Sequence, residues 1–509
     1  MTKAARGRPA KALSKSKLLA FRQCEKRLWL EVHRPELRTD SAATQASFQV
    51  GQAVGDMARR LYDPAGVGVL LDAHLDGYEP TLQTSLELLA SNAPVFEAGY
   101  TAGGVLAFAD VMLPVKCRGK NRWRMVEVKS STNVKDYHRD DVAIQAFVAR
   151  KAGVALESIA LACIDSQWTY PGKGNYVGLF KEEDLTGEAF AREHEVQEWI
   201  AQAQAVLRSA KEPARVTGGH CSDPYECGFM PYCRAQEPRA KFPVAWLPRV
   251  QAKALKTHLF QAEVIDLRQV PDVLLNPTQL RVKSQSLSGM AWFDSAGAAK
   301  ALKAHRLPAY FLDFETIQFP VPVWAGTRPY AQIPFQFSLH KLSKAGALKH
   351  RQFLDLSGDD PSKAFAEALI AECGPSGPIF VYNAGFEKAR IKEAAARFRL
   401  LRARLLALID RVVDLLPVAQ AHFYHPSQEG SWSIKKVLPS LVPELRYDQL
   451  DGVQDGCAAM EAYLEAVAPE TSAQRKSEIE RQLLAYCSLD TYAMVRLWQV
   501  FAGRESMKL

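Results

Sequence analysis

The chain predicts an α/β protein with two large domains and a short helical connector. Three observations carry this. The 509 residues exceed the usual size of one domain. Short strand-like runs alternate with helical periodicity on both sides of the chain. Between them lies a stretch of different texture, with prolines at 243, 248, 271 and 277.

The elements follow in order. Residues 1–12 read as a flexible basic tail with no apolar signal segment. "LSKSKLLAFRQCEKRLWLEVHRPEL" predicts one helix, capped by Ser14 or Ser16. Residues 51–61 continue helical. "GVGVLL", "APVFEAGYTAGGVLAFADVMLPV" and "RWRMVEVKSST" have strand character, the second as a hairpin about Gly103–Gly104. "DDVAIQAFVARKAGV" is a helix stopped by Gly153, "LESIALACID" a strand, and 182–210 a long amphipathic helix. The first domain is bounded at 13–240, and 241–307 reads as a connector or small helical module. From 308 to 509 strands and helices alternate again in "AYFLDFETI", "IPFQFSLHKLS", "PSKAFAEALIAECG" and "PIFVYNAG", then mostly helices. This domain reads as a mixed sheet.

Composition narrows the function classes. Apolar residues make up 48% and charged residues 24%, as in ordinary globular proteins. The net charge of +8 is compatible with a nucleic-acid partner. No stretch has the length of a membrane span. Nine cysteines without a secretion signal suggest a reducing cytoplasm.

Three constellations carry chemistry. In the first, Asp110 ends an apolar run in "FADVML", and Glu127 and Lys129 sit two apart in "WRMVEVKSS". Strand alternation puts Glu127 and Lys129 on one face, and a hairpin brings Asp110 to them. Two carboxylates can hold Mg²⁺ or Mn²⁺ and acidify a bound water, with the lysine stabilising developing charge. Gln145 on the following helix can reach metal or substrate. The segment resembles the RecB-like branch of the PD-(D/E)xK nucleases, which implies a restriction-endonuclease-like fold. That family often has a histidine on an earlier helix. Here "FQVGQAVGDMARRLY" offers Gly55 and Asp56, and Asp56 or Glu97 are the substitutes to consider.

In the second, Cys221, Cys227 and Cys233 are separated by five residues in each gap, and Cys24 lies far upstream. Zinc sites usually use short C-x-x-C pairs, whereas iron–sulfur clusters accept wider spacing. One cysteine before the nuclease motifs and three after them resembles the iron–sulfur RecB-like nucleases. The resemblance implies a 4Fe-4S cluster that staples the ends of the domain. Cys117, Cys163, Cys373, Cys457 and Cys487 show no pattern and read as ordinary thiols.

The third lies in the second domain. "FLDFETI" puts Asp313 and Glu315 on one strand face. Glu387 follows a strand in "IFVYNAGFEKARI", and Tyr486 and Asp490 are four apart in "LLAYCSLDTYAM". Four such carboxylates can hold two divalent cations for attack on a phosphodiester. The order resembles the DEDD 3′→5′ exonucleases of the tyrosine subtype over roughly 308–500, which implies an RNase H-like fold. Glu387 stands where that family has Asp. Asp414 resembles a further acid of related domains, and Lys435 and Lys436 are candidate phosphate contacts.

The combination resembles a bacterial family of largely unassigned function. It implies a two-site, metal-dependent nuclease acting on DNA ends or single strands. The alternatives are a nucleic-acid-binding scaffold with one or both sites decayed, recruiting a helicase or defence complex, and an RNA-processing exonuclease.

Overall fold

The structure, a computed structural model, describes residues 13–504; the expected tail at 1–12 lies outside the described residues. The chain is mixed α/β and divides into two units. One comprises Met1–Glu237 with Phe319–Ala331, the other Pro238–Gln318 with Gln332–Leu509.

The first unit is built on a seven-stranded sheet. Its order is Val69–Leu70, Val95–Ala102, Val105–Cys117, Lys120–Lys129, Leu156–Ile164, Phe180–Asp184, with Leu13–Ser14 pairing parallel to Val105–Leu106. Three consecutive strands run antiparallel, and the next pairs parallel to Lys120–Lys129. The hairpin turns at Gly103 and Gly104 with φ of 60° and 77°, values that suit glycine. One face of the sheet packs against the helix Asp136–Lys151, whose Val142, Ile144 and Val148 are fully buried.

Two sequence expectations for this unit need correction. The first helix is two, Lys15–Gln23 and Glu25–His33, broken where Cys24 adopts an extended backbone (φ −164°, ψ 123°). Ser14 is the cap, accepting from the Lys17 N–H at 3.3 Å. The helix expected over 182–210 begins only at Thr186 and is interrupted at Arg192. Residues Phe180–Asp184 instead extend the sheet beside Leu156–Ile164, because a free strand edge there takes up their backbone groups.

The second unit has a five-stranded sheet in the order Leu348–Leu354, Ile333–Leu342, Ala309–Ile317, Ile379–Val381, Val412–Asp414. Ile333–Leu342 runs antiparallel to both of its neighbours, and the last two strands run parallel to Ala309–Ile317. Leu312 and Phe314 enter an apolar core with Phe365, Leu369 and Ile391 from two helices. The 29-residue helix Ala473–Phe501 packs across the sheet. Gln336 Nε2 donates to its Leu483 carbonyl (2.8 Å), and Ser338 and Thr491 share a hydroxyl hydrogen bond (2.6 Å). Residues 241–307 are helical and belong to this unit. They hold a small core of Leu247, Leu255, Val264, Leu267 and Val270, and Trp292–Phe293 pairs with Phe423–Tyr424.

Candidate functional sites: two carboxylate centres and a cysteine pocket

In the first unit, adjacent strands bring Asp110, Glu127 and Lys129 together, and the buried helix adds Gln145. The Val128 N–H donates to Asp110 Oδ2 (2.7 Å). Gln145 Nε2 donates to Glu127 Oε2 (3.1 Å), and its Oε1 accepts from Tyr100 (2.7 Å). Glu127 and Gln145 are 1% and 0% exposed. Two partners were not legible in the sequence. Lys15 Nζ lies 2.7 Å from Glu127 and 3.1 Å from Asp141, and Lys129 Nζ lies 2.8 Å and 2.6 Å from the same two carboxylates. Two ammonium groups therefore face two buried acids. Burial pushes Glu127 up to about 7, with Asp110 and Asp141 adding repulsion and the lysines opposing. Burial also raises Asp110. It acts in the same sense on Asp141, yet Lys129 and Lys15 hold that carboxyl below the usual range.

Asp56 does not join this group: it is exposed and paired with Arg59. Glu97 does. It stands in the strand beside Asp110 with φ of 55°, an uncommon backbone for glutamate, and burial followed by the Glu127 charge raises its pKa.

Cys24, Cys221, Cys227 and Cys233 line one pocket, although Cys24 is about two hundred residues from the others. The break between the first two helices presents Cys24. Gln23 beside it donates to the carbonyls of His220 and Tyr225, both at 2.7 Å, tying the cysteine loop down by protein bonds alone. Burial raises the Cys227 thiol and pushes Cys233 up to about 11, and each also feels charge on the other cysteines. Among the described residues, the trio of ligand atoms found within 4.8 Å of one another is Asp313, Glu315 and Cys487. Four thiols gathered on one pocket are a donor set that either a structural zinc ion or an iron–sulfur cluster uses.

In the second unit, Asp313 and Glu315 point from the central strand toward the long helix, which supplies Tyr486, Cys487 and Asp490. Burial raises Asp313 strongly, followed by repulsion from Asp490, Glu315 and Glu387. Burial and then Asp490 push Glu315 up to about 8. Glu387, 2% exposed, is pushed up to about 8 by burial, and its Oε2 has no hydrogen-bond partner. Asp490 rises to about 6 through burial, against hydrogen bonds from Tyr447 (2.5 Å) and Tyr486. A buried acceptor without a donor, amid carboxylates that repel one another, is the environment a divalent cation stabilises.

Two readings change here. Asp414 is no ligand candidate, because its carboxylate accepts from the backbone N–H groups of Asn383, Ala384 and Leu416 at 2.9, 3.0 and 2.9 Å. It positions the turn that leads to Glu387. Cys487 is no ordinary thiol, because its Sγ lies 3.9 Å from Asp313 Oδ2. Lys435 donates to the Gln454 carbonyl (2.6 Å) and lies over the rings of Tyr447 and Tyr486, while Lys436 pairs with Glu429 (2.7 Å). Tyr447 was not legible in the sequence: it lies in a short turn with no motif around it.

A family model described as "Domain of unknown function (DUF2779)" matches residues 310–433. That span holds Asp313, Glu315 and Glu387 but neither Tyr486 nor Asp490. No curated protein matches the chain.

Proposed function

We propose that the protein is a two-site, metal-dependent nuclease, with 3′→5′ exonuclease chemistry in the second unit, DNA favoured over RNA. One observation carries the reading: Asp313, Glu315, Glu387 and Asp490 converge from three elements beside Tyr486, with Glu387 Oε2 unpartnered. The sheet order, three antiparallel strands followed by two parallel ones, supports an RNase H-like assignment for this unit. Strands carrying Asp110, Glu127 and Lys129, with Gln145 on the next helix, support a RecB-like assignment for the first.

Asp313, Glu315, Glu387 and Asp490 would hold Mg²⁺ or Mn²⁺ in the second site, and Asp110 and Glu127 in the first. Bound there, such cations polarise a phosphoryl oxygen and acidify water. The chain's own groups do the rest. Tyr486 is held protonated by burial and by Asp490, so it orients a water as a hydrogen-bond partner rather than removing its proton. Tyr447 fixes the Asp490 carboxylate, and Asp414 fixes the approach to Glu387. Lys129 offers an ammonium to charge developing at the first site. Cys24, Cys221, Cys227 and Cys233 would hold a 4Fe-4S cluster that closes a long chain segment.

End-labelled single- and double-stranded DNA and RNA, incubated with Mg²⁺ or Mn²⁺, test the activity. Shortening from the 3′ end, abolished by chelator, is expected, and absence of cleavage on all four substrates overturns it. Protein purified anaerobically is expected to be brown, and Cys227→Ala to be colourless and less stable. Stoichiometric zinc in place of iron overturns the cluster.

The alternative, a binding scaffold, draws on the first site. Lys15 and Lys129 already pair with Glu127 and Asp141 there, so these two acids have cationic partners without a metal ion.

A further inference from the structure

The second unit contains a pocket that none of the carboxylate chemistry uses. It has a volume of about 840 Å³, within the range of ligand-binding sites. Lys300, Lys303 and Arg306 come from the helix Ser295–Leu302 and the turn after it, Lys344 from a strand turn, and Arg504 from beyond the long helix. No acid lines it. Among the described residues none of these five cations has a carboxylate within 4.0 Å, whereas Arg27, Arg59 and Arg192 each face one. A chain with 64 basic and 56 acidic residues would not concentrate unpaired cations in one concavity by balance alone.

A second observation points the same way. Trp498 forms part of the pocket wall, is 2% exposed, and its Nε1–H has no acceptor. Arg504 lies over its ring at 4.9 Å. Cations beside an aromatic wall, with no carboxylate among the described lining residues, suit an anionic oxygen ligand.

We propose that this pocket binds the phosphate backbone of a nucleic-acid strand. The identification of the strand rests on the nucleic-acid reading above; the phosphate chemistry does not. One free phosphate group carries at most about two charges, fewer than the cations present. Several successive phosphates match their number and their spread over three chain segments. Lysine and arginine contacts of this kind hold a strand in place without reading its bases.

The test is fluorescence anisotropy of a labelled 20-nucleotide single strand with the full-length protein in EDTA, across a salt series. The triple variant Lys300→Gln, Lys303→Gln, Arg306→Gln removes three of the exposed cations. The slope of log affinity against log salt is expected to flatten by about 2, at roughly 0.7 per lost phosphate contact on single strands. Lys344→Glu, on a separate turn, is expected to weaken binding in the same direction, with unchanged thermal melting for both proteins. Competition with inorganic phosphate and with AMP separates the sources. Displacement of the strand only by another strand supports the proposal. Binding of AMP that depends on these cations, with an unaltered strand slope, makes this a nucleotide pocket and overturns it. An unaltered slope in both variants also overturns it, as does a wild-type protein that binds no strand. Strand binding through these cations without any cleavage defeats the nuclease reading alone.

Discussion

The two carboxylate centres solve the same electrostatic problem in different ways. In the first unit, Glu127 and Asp141 are buried against Lys15 and Lys129, so positive charge is supplied by the chain. In the second, Lys435 lowers Glu315 and Asp490 but is not among the main influences on Asp313 or Glu387, and an oxygen of Glu387 is left without a hydrogen-bond partner. Buried acids with internal partners form a stable structure whether or not an ion binds. Buried acids without them hold protons or await a cation. The difference teaches that a shared inventory of acids does not imply a shared dependence on metal.

The comparison is most easily broken at its chemical extreme. Asp313→Asn is expected to reduce 3′ trimming by about 10³-fold or more, since metal-site charge stabilisation is worth several kcal/mol. Lys129→Met is expected to leave trimming unchanged. Equal losses in both variants on a single labelled strand would make the centres one functional unit.

pH gives the next largest effect. Glu315 and Glu387 each stand at about 8 against an ordinary 4.5. A carboxyl raised in the folded state favours folding at low pH, and that advantage is lost as pH rises from about 4.5 through about 8. Metal-free stability is therefore expected to fall by several kcal/mol over this window, at about 1.4 kcal/mol per pH unit of displacement. Mn²⁺ should reverse the trend, because it binds the ionised carboxylates. Calorimetric melts in EDTA and in Mn²⁺ check this; a metal-free melting temperature that climbs from pH 5 to 8.5 would contradict it.

Lys15→Met sharpens the contrast from the other side. Removing one ammonium from a buried group is expected to cost about 3 kcal/mol. It should also convert the first site to the state of the second, so that Mn²⁺ now raises its melting temperature more than in the wild type. A variant as stable as wild type would remove Lys15 from the electrostatic account. The smallest change expected is Asp414→Asn. It weakens backbone hydrogen bonds that set the turn before Glu387, with a cost of about 1 kcal/mol. Its KM for strand trimming should stay near wild type while kcat falls modestly; complete loss of metal binding would instead make Asp414 a ligand.

Much of the site was legible because its residues lie on short periodic segments. Alternation in "FLDFETI" and "WRMVEVKSS" placed Asp313 with Glu315 and Glu127 with Lys129, and the four-residue spacing placed Tyr486 with Asp490. Lys15, Asp141 and Tyr447 were not legible. Each belongs to its site only through contacts more than ten residues away in sequence, and none has local spacing that marks it.

The same division runs through the whole molecule. Sequence by itself determined the α/β class, most strands and helices, and which acids share a face, because those follow from backbone periodicity of two or 3.6 residues. It also marked the regular cysteine spacing. Tertiary structure alone decided how each buried charge is compensated. Lys15 reaches Glu127, Asp414 is consumed by backbone donors, and Glu387 keeps a free oxygen. Charge compensation depends on distances of a few ångströms in a poorly screened interior, and segments remote in sequence set those distances.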